Sequence, residues 1–213
     1  MKESVFELFP EEYDEWFEEH KLAYLSELEA LKRAIPEGGR GLEVGVGTGR
    51  FAQPLGIKIG IDPSEKMLEI ARKRGIEGIR GRGEDLPFKD EEFDFVLLAF
   101  TLCFVDNPLK VLEEAKRVLK PGGRVIVGVI DKNSKLGKIY EAKKEKSKFY
   151  KVAKFYSSEE IIDMLRKLDF TNIKALQTLS GELDSIKEVE APKEGYGEGG
   201  FVVIYGEKRR EKE

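Results

Sequence analysis

The sequence predicts a three-layer α/β sandwich, a mostly parallel sheet with helices on both faces. Three observations carry that expectation. From residue 41 onward, short apolar runs alternate with amphipathic stretches of helical period, as parallel strands require because each needs a crossover to its neighbour. The first run feeds a glycine-rich turn, Gly45-Val46-Gly47-Thr48-Gly49. A chain of 213 residues can bury about 70% of its unfolded surface, enough for one substantial core.

Residues 1–36 come first, with ten acidic against four basic residues. Pro10, followed by Glu11 and Glu12, marks a helix start, since proline suits the first turn and acids complement the positive end of the helix dipole. Tyr13, Trp16, Phe17, His20 and Tyr24 recur at helical spacing and share one face. Leu22, Leu25, Leu28 and Leu31 form a second stripe, stopped by Pro36-Glu37-Gly38-Gly39.

Strands are expected at 41–46, 57–61, about 77–81, 93–100 and 123–130, with helices over Ser64–Lys73 and Leu109–Leu119. Ser64 ahead of Met67, Leu68, Ile70 and Ala71 reads as an N-capped amphipathic helix. The stretch Arg50–Gly56 is too short for a full helix and contains Pro54, so the first crossover is expected to be a single turn. Residues 132–154 break the rhythm with nine lysines against two glutamates, interspersed with Tyr140, Phe149 and Tyr150. Ser157-Ser158-Glu159-Glu160 caps a helix to Leu168. Two late strands follow at 171–179 and 200–206, joined by a Gly- and Glu-rich connection over 190–200, and no internal repeat is present.

Composition narrows the chemistry. One Cys excludes an internal disulfide, and one His with one Cys leaves little for a zinc cluster, a Cys/His pair or a Ser-His-Asp triad. No G-x-S-x-G elbow occurs and no metal site is expected. The N-terminus interleaves acids with aromatics, unlike an export signal. The longest nearly apolar run, Phe95–Val105, is 11 residues, short of a membrane span. The expectation is a cytoplasmic protein. Its net charge of −4 argues against a nucleic-acid partner, and its wealth of Lys and Glu with two Gln and three Asn fits a thermophile.

The glycine turn carries the site. Glycines allow positive φ and bring bare backbone against a ligand. The phosphate-loop reading fails for want of G-K-[ST], and a G-x-G-x-x-G dinucleotide fingerprint would need glycine where Arg50 stands. Glu43, two residues before the first glycine, would repel a pyrophosphate yet suits a ligand with ammonium and sulfonium charge. Asp62 ends the second strand 15 residues after Gly47. Two roles fit it, a turn or cap residue and an acceptor for both hydroxyls of a ribose; the adjacent glycine turn favours the ribose.

At this point the chain resembles the class I S-adenosylmethionine-dependent methyltransferases, in the small-molecule branch that includes the ubiquinone/menaquinone biosynthesis enzymes. The resemblance lies in LEVGVGTGRF (42–51), GIDPSEKMLEIARKRG (60–75), GEDLPFKDEEFDFVLLAFTLCFVDNP (83–108) and VLEEAKRVLKPGGRVIVGV (111–129). It implies a doubly wound, seven-stranded Rossmann-like sheet with the last strand antiparallel, and transfer of a methyl group from S-adenosylmethionine to a small-molecule acceptor by in-line displacement. By that resemblance, Glu43, Gly45, Val46 and Gly47 line the methionine end of the cofactor and Asp62 holds its ribose. Pro63 and Met67 flank the adenine, Gly83 and Glu84 stand near its edge, and Ala99 and Phe104 close the pocket. The division that follows is a helical lid (1–36), a cofactor-binding core (37–131), a Lys-rich helical insert or cap (132–156) and the rest of the α/β domain (157–213).

The sequence departs from the family at Gly81-Arg82-Gly83, where Arg82 replaces an aspartate that accepts from adenine, and at Cys103-Phe104, which replaces a histidine. Cys103 is expected to be a buried apolar residue. Two readings fit the aromatic face of Tyr13, Trp16 and Phe17: a helix packed on the core, or a lid over donor and acceptor whose rings attract cationic charge. His20 is either a packed or surface residue or the one candidate base near neutral pH. The Lys-rich segment is a solvated face or a partner for the acidic N-terminus. The expected assembly is a monomer or homodimer. The rivals are a non-catalytic S-adenosylmethionine-binding domain and an NAD-dependent oxidoreductase on a similar fold.

Overall fold

The computed structural model describes residues 4–210; the first three and last three residues lie outside it. Its sheet has the order β3-β2-β1-β4-β5-β8-β6-β7, from strands β1 (Gly41–Val44), β2 (Ile59–Asp62), β3 (Glu77–Arg80), β4 (Phe93–Ala99), β5 (Leu119–Ile130), β6 (Thr171–Thr178), β7 (Lys193–Glu194) and β8 (Phe201–Glu207). β3, β2, β1, β4 and β5 run parallel, and β8 lies antiparallel between β5 and β6. Seven strands match the expected set. The eighth, β7, is a two-residue edge strand within the Gly/Glu-rich connection.

The helices are α1 (Val5–Leu8), α2 (Pro10–Glu19), α3 (Lys21–Ala34), α4 (Glu65–Lys73), α5 (Pro108–Val118), α6 (Lys135–Lys143) and α7 (Ser158–Lys167). Each strand of the centre buries both faces: along β4, Val96 and Leu98 pack with α5 and α7, while Phe95, Leu97 and Ala99 pack with α3 and α4. That alternation, period two on a doubly covered sheet, makes the three layers.

The N-terminal segment differs from a single helix. The chain bends at His20 (φ −114°, ψ 44°), whose N–H closes α2 on the Trp16 carbonyl before α3 begins. The stripe of α3 that faces the sheet is not Leu22, Leu25 and Leu28 but Ala23, Ser26, Glu27, Ala30, Leu31 and Ala34. Small side chains let the helix approach closely, and Leu31 lies near the bare Gly128 of β5. β5 starts four residues earlier than the sequence suggests, because Leu119 pairs with Phe93 before Pro121-Gly122-Gly123 shifts the register. The first crossover, residues 50–56, is a run of turns without a helix.

Candidate functional site

β1 and β4 lie side by side while their crossovers lead in opposite directions, so a crevice opens at their carboxyl ends. The N–H groups of Gly45 and Val46 both donate to the Ile61 carbonyl, at 2.8 and 3.0 Å, folding the glycine turn over the end of β2. Gly45 has φ +74°, and a Cβ there would sit 2.4 Å from Thr101 Oγ1, so only glycine fits. The Gly47 N–H donates to Asp62 Oδ2 at 2.9 Å, and the Ser64 N–H donates to Asp62 Oδ1 at 2.9 Å. Asp62 thus orders the turn, each of its oxygens accepting from a backbone N–H. Burial lifts its carboxyl to about 6 despite those two donors.

The resulting cleft of about 260 Å³ is lined by Gly45, Pro63, Gly83, Glu84 and Phe104 among the expected residues, and by Thr101, Val105 and Asp106 in addition. Met67 is buried beside the turn, its methyl 3.7 Å from where a Gly47 Cβ would stand. Val46 offers only backbone, since its side chain packs over Gly60. Ala99 is buried in the core and does not line the cleft; Thr101, whose hydroxyl donates to the Val44 carbonyl at 2.9 Å, occupies that wall. Arg82 lines the cleft as well, donating to Asp106 at 2.7 Å and pairing with Glu84 at 3.6 Å.

Glu43 and Glu84 each present a buried carboxylate oxygen with no hydrogen-bond partner among the described residues. Burial, and then the charge of Asp62, raises Glu43 well above the usual carboxylate range. Of these acids only Glu84 lines the cleft; Glu43 and Asp62, like Gly47, are not among its lining residues and sit buried at the ends of β1 and β2, where the unsatisfied oxygens of Glu43 and Glu84 call for N–H or O–H donors. They fit S-adenosylmethionine, with its ammonium, sulfonium, ribose hydroxyls and adenine amine, and would repel a pyrophosphate.

Next to the cleft lies an enclosed cavity of about 30 Å³, room for a water molecule or two, walled by Tyr13, Trp16, Phe17, Phe100, Tyr140, Phe149 and Tyr150. Phe100 reaches it from the end of β4 through a left-handed backbone, φ +55°. Tyr13 lies 3.9 Å from the Gly47 Cβ position, and the Phe104 ring of the cleft stacks on Tyr150 of the cavity at 5.8 Å, so the two walls touch. Phe6 on α1 contacts Phe104, Tyr13 and Phe149 at centroid distances of 4.9, 5.4 and 5.7 Å. The acidic N-terminal segment and the Lys-rich segment meet above it: Lys148 pairs with Glu12 and sits 4.0 Å over the Phe9 ring.

Asp14 fastens α2 to the glycine turn. Arg50 donates to it at 2.9 and 2.7 Å and Arg74 at 2.8 Å to each oxygen, while Arg74 also donates to the Thr48 carbonyl at 2.8 Å. Against its partial burial, these guanidinium groups hold the Asp14 carboxyl below its ordinary range.

His20 stands apart. Its ring stacks on Trp16 at 4.5 Å, Nδ1 lies 3.1 Å from the Trp16 carbonyl oxygen, and it does not line the cavity. Cys103 is half-buried, its thiol pushed up to about 12 by burial and donating to the Phe100 carbonyl. Glu27, absent from the sequence reading, is a buried acid on the sheet-facing stripe of α3; its position three and four residues from Ala30 and Leu31 was the available signal. Among the described residues no cluster of potential metal ligands occurs, and no helix is long and apolar enough to cross a membrane.

Residues 42–127 match the family model described as "Methyltransferase domain". A Methanocaldococcus jannaschii protein described as uncharacterized is 62% identical over 96% of this chain and 99% of its own. A Thermotoga maritima structure described as an S-adenosylmethionine-dependent methyltransferase, possible histamine N-methyltransferase, is 56% identical with a TM-score of 0.94, over 96% of this chain and 99% of that one. A Staphylococcus aureus demethylmenaquinone methyltransferase is 33% identical over 57% of each chain.

Proposed function

Because the chain belongs to the S-adenosylmethionine-dependent methyltransferases, we propose that it methylates a small-molecule acceptor held in the aromatic cavity beneath a lid made by residues 1–36 and the insert 132–156. The carrying observation is the adjacency of the cleft and the closed aromatic cavity, whose walls touch where Phe104 stacks on Tyr150. S-adenosylmethionine, the cofactor of the family, supplies an electrophilic methyl group on a positively charged sulfur.

The chain's part is to bind, orient and keep water out. Asp62 accepts from ribose hydroxyls, Glu43 faces the methionine end with Gly45, Val46 and Gly47, and Glu84 with Gly83 and Pro63 borders the adenine. Met67 backs the turn. Tyr13, Trp16 and Phe149 wall the acceptor and present ring faces that favour nearby positive charge. An in-line displacement needs the acceptor's nucleophilic atom held on the axis of the breaking bond, and such positioning contributes several kcal/mol to lowering the barrier. No protein base is required when the acceptor enters with a free lone pair, which agrees with the placement of His20 outside the cavity.

A cavity of about 30 Å³ admits no metabolite as it stands, so α1, α2 and the segment around Lys148 and Phe149 open for entry. Isothermal titration with S-adenosylmethionine, S-adenosylhomocysteine and NAD tests the cofactor half: the two sulfur nucleosides bind and NAD does not. The named relatives differ in acceptor, an amine for one and a quinone for the other.

A further inference from the structure

Helix α1 crosses the cleft, held there by two neighbouring residues. Phe6 meets Phe104, on the wall that follows β4, edge-on at 4.9 Å. Glu7 reaches the opposite wall, beyond the end of β2: its Oε2 accepts from the Ser64 hydroxyl and, at 3.4 Å, from the Lys66 N–H. Ser64 follows Pro63, which lines the cleft, and its N–H donates to Asp62. Ser64 therefore carries Asp62 on its amide and Glu7 on its hydroxyl, and a helix of four residues bridges the two walls.

Neither contact serves the core. None of the residues of α1 is buried, and α4 already has its cap, since the Ser64 hydroxyl accepts from the Met67 N–H. So short a helix has no stability of its own in water, and α1 stays in place only through what it touches. A segment held by so few contacts opens locally at small cost.

What it touches belongs to both sites. Phe6 also packs on Tyr13 and Phe149, walls of the aromatic cavity, at 5.4 and 5.7 Å. Tyr13 in turn stands 3.9 Å from the Gly47 Cβ position in the glycine turn. A cofactor whose methionine end lies at that turn has α1 across its path in and out.

We propose that α1 is a strap that closes the cofactor cleft and the acceptor cavity in one movement, with Glu7 on Ser64 as its latch. The assignment rests on the methyl-transfer reading above and goes beyond it: exchange of the cofactor, and not only entry of the acceptor, depends on the lid. Glu7 is a positioning residue, which acts by holding the strap. With the strap down, a bound cofactor is retained and water is kept from its methyl group; with the strap lifted, both sites open together.

Trp16, the chain's single tryptophan, lines the cavity on which Phe6 packs and reports the strap's movement by its fluorescence. In stopped-flow mixing with S-adenosylhomocysteine, the wild-type association rate should level off with concentration, at the rate of strap opening. Glu7→Ala should raise that ceiling and the dissociation rate together, each by about five- to tenfold, the change expected of one lost charge-assisted hydrogen bond. Glu7→Gln keeps an oxygen to accept from Ser64 and should lie closer to the wild type than Glu7→Ala does. A dissociation rate that rises alone would make Glu7 a direct cofactor contact, and unchanged rates would leave α1 without control of the cleft; either result overturns the proposal. Hydrogen exchange tests the strap without the fluorescence signal. The amides of Glu7, Leu8 and Phe9, which donate to the Ser4 and Val5 carbonyls, should exchange more slowly when S-adenosylhomocysteine is bound and lose that protection in Glu7→Ala. Exchange indifferent to the nucleoside in the wild type would also overturn the proposal. Failure of S-adenosylhomocysteine to bind the wild type would instead remove the methyl-transfer reading on which it rests.

Discussion

Asp14 receives both arms of the Arg50 guanidinium, at 2.9 and 2.7 Å, and so ties helix α2 to the residue that follows the last glycine of the cofactor turn. Arg50 occupies the place where a dinucleotide fingerprint would have glycine, and its side chain fastens α2. With Arg74 on the other side, a part-buried carboxylate satisfies two guanidinium groups. Replacing it takes the carboxylate from Arg74 and leaves Arg50 with Glu18 alone. Asp14→Ala should cost about 2–3 kcal/mol, somewhat less than loss of a fully buried partner, and lower Tm by about 4–10 °C. Calorimetry checks it. Because the folded Asp14 titrates below its unfolded value, this contribution is present above about pH 4 and is lost only as pH falls through the folded value.

Asp62 gives a pH-dependent prediction of opposite sign. Its folded carboxyl is raised to about 6, so in the free protein it favours stability at low pH and loses that contribution as pH rises from about 4 through 6. In the proposed site, cofactor hydroxyls donate to the ionised form and reverse the preference. The Tm gain from S-adenosylhomocysteine should therefore grow between pH 5 and pH 7.5. Asp62→Ala should weaken cofactor binding by about 1–3 kcal/mol and flatten that profile, as measured by titration calorimetry. Unchanged affinity would mean that the ribose sits elsewhere.

Glu43, proposed to face the methionine end, distinguishes the two ends of the cofactor by test. Glu43→Gln keeps the shape of the buried side chain and removes its charge, so S-adenosylmethionine affinity should fall about tenfold, on the scale of one charge-assisted contact. Adenosine, which lacks the methionine end, should bind both proteins alike. An equal loss for adenosine would place Glu43 at the nucleoside instead.

Phe149 and His20 test the lid from two sides. Phe149 stacks on Phe6 and meets Tyr13 edge-on, so Phe149→Ala should raise the acceptor KM severalfold with cofactor affinity intact. His20→Gln should leave kcat within about twofold, since general-base loss costs far more. A hundredfold fall in kcat would restore the histidine as a base acting from outside the closed cavity.

The parallel core was legible because its signals are local: the glycine turn, Ser64 as an N-cap that accepts from the Met67 N–H, and Asp62 at a strand end. What escaped depends on contacts distant in sequence. The bend at His20 hides within an unbroken helical pattern, and a leucine stripe on α3 outshone the smaller residues that pack on the sheet. Ala99 fell in the core and Thr101 on the wall because β4 ends in the left-handed turn at Phe100, which re-aims every later side chain.

The central claim is methyl transfer to a small molecule bound beneath the lid. It is tested most directly by incubating the enzyme with methyl-labelled S-adenosylmethionine, a panel of small amines, alcohols, thiols and quinones, and separate samples of protein and RNA, then measuring where the label resides. The account predicts label in a small-molecule product, with S-adenosylhomocysteine formed in equal amount and both lost in Asp62→Ala. Label in protein or RNA, with none in any small molecule, would contradict it.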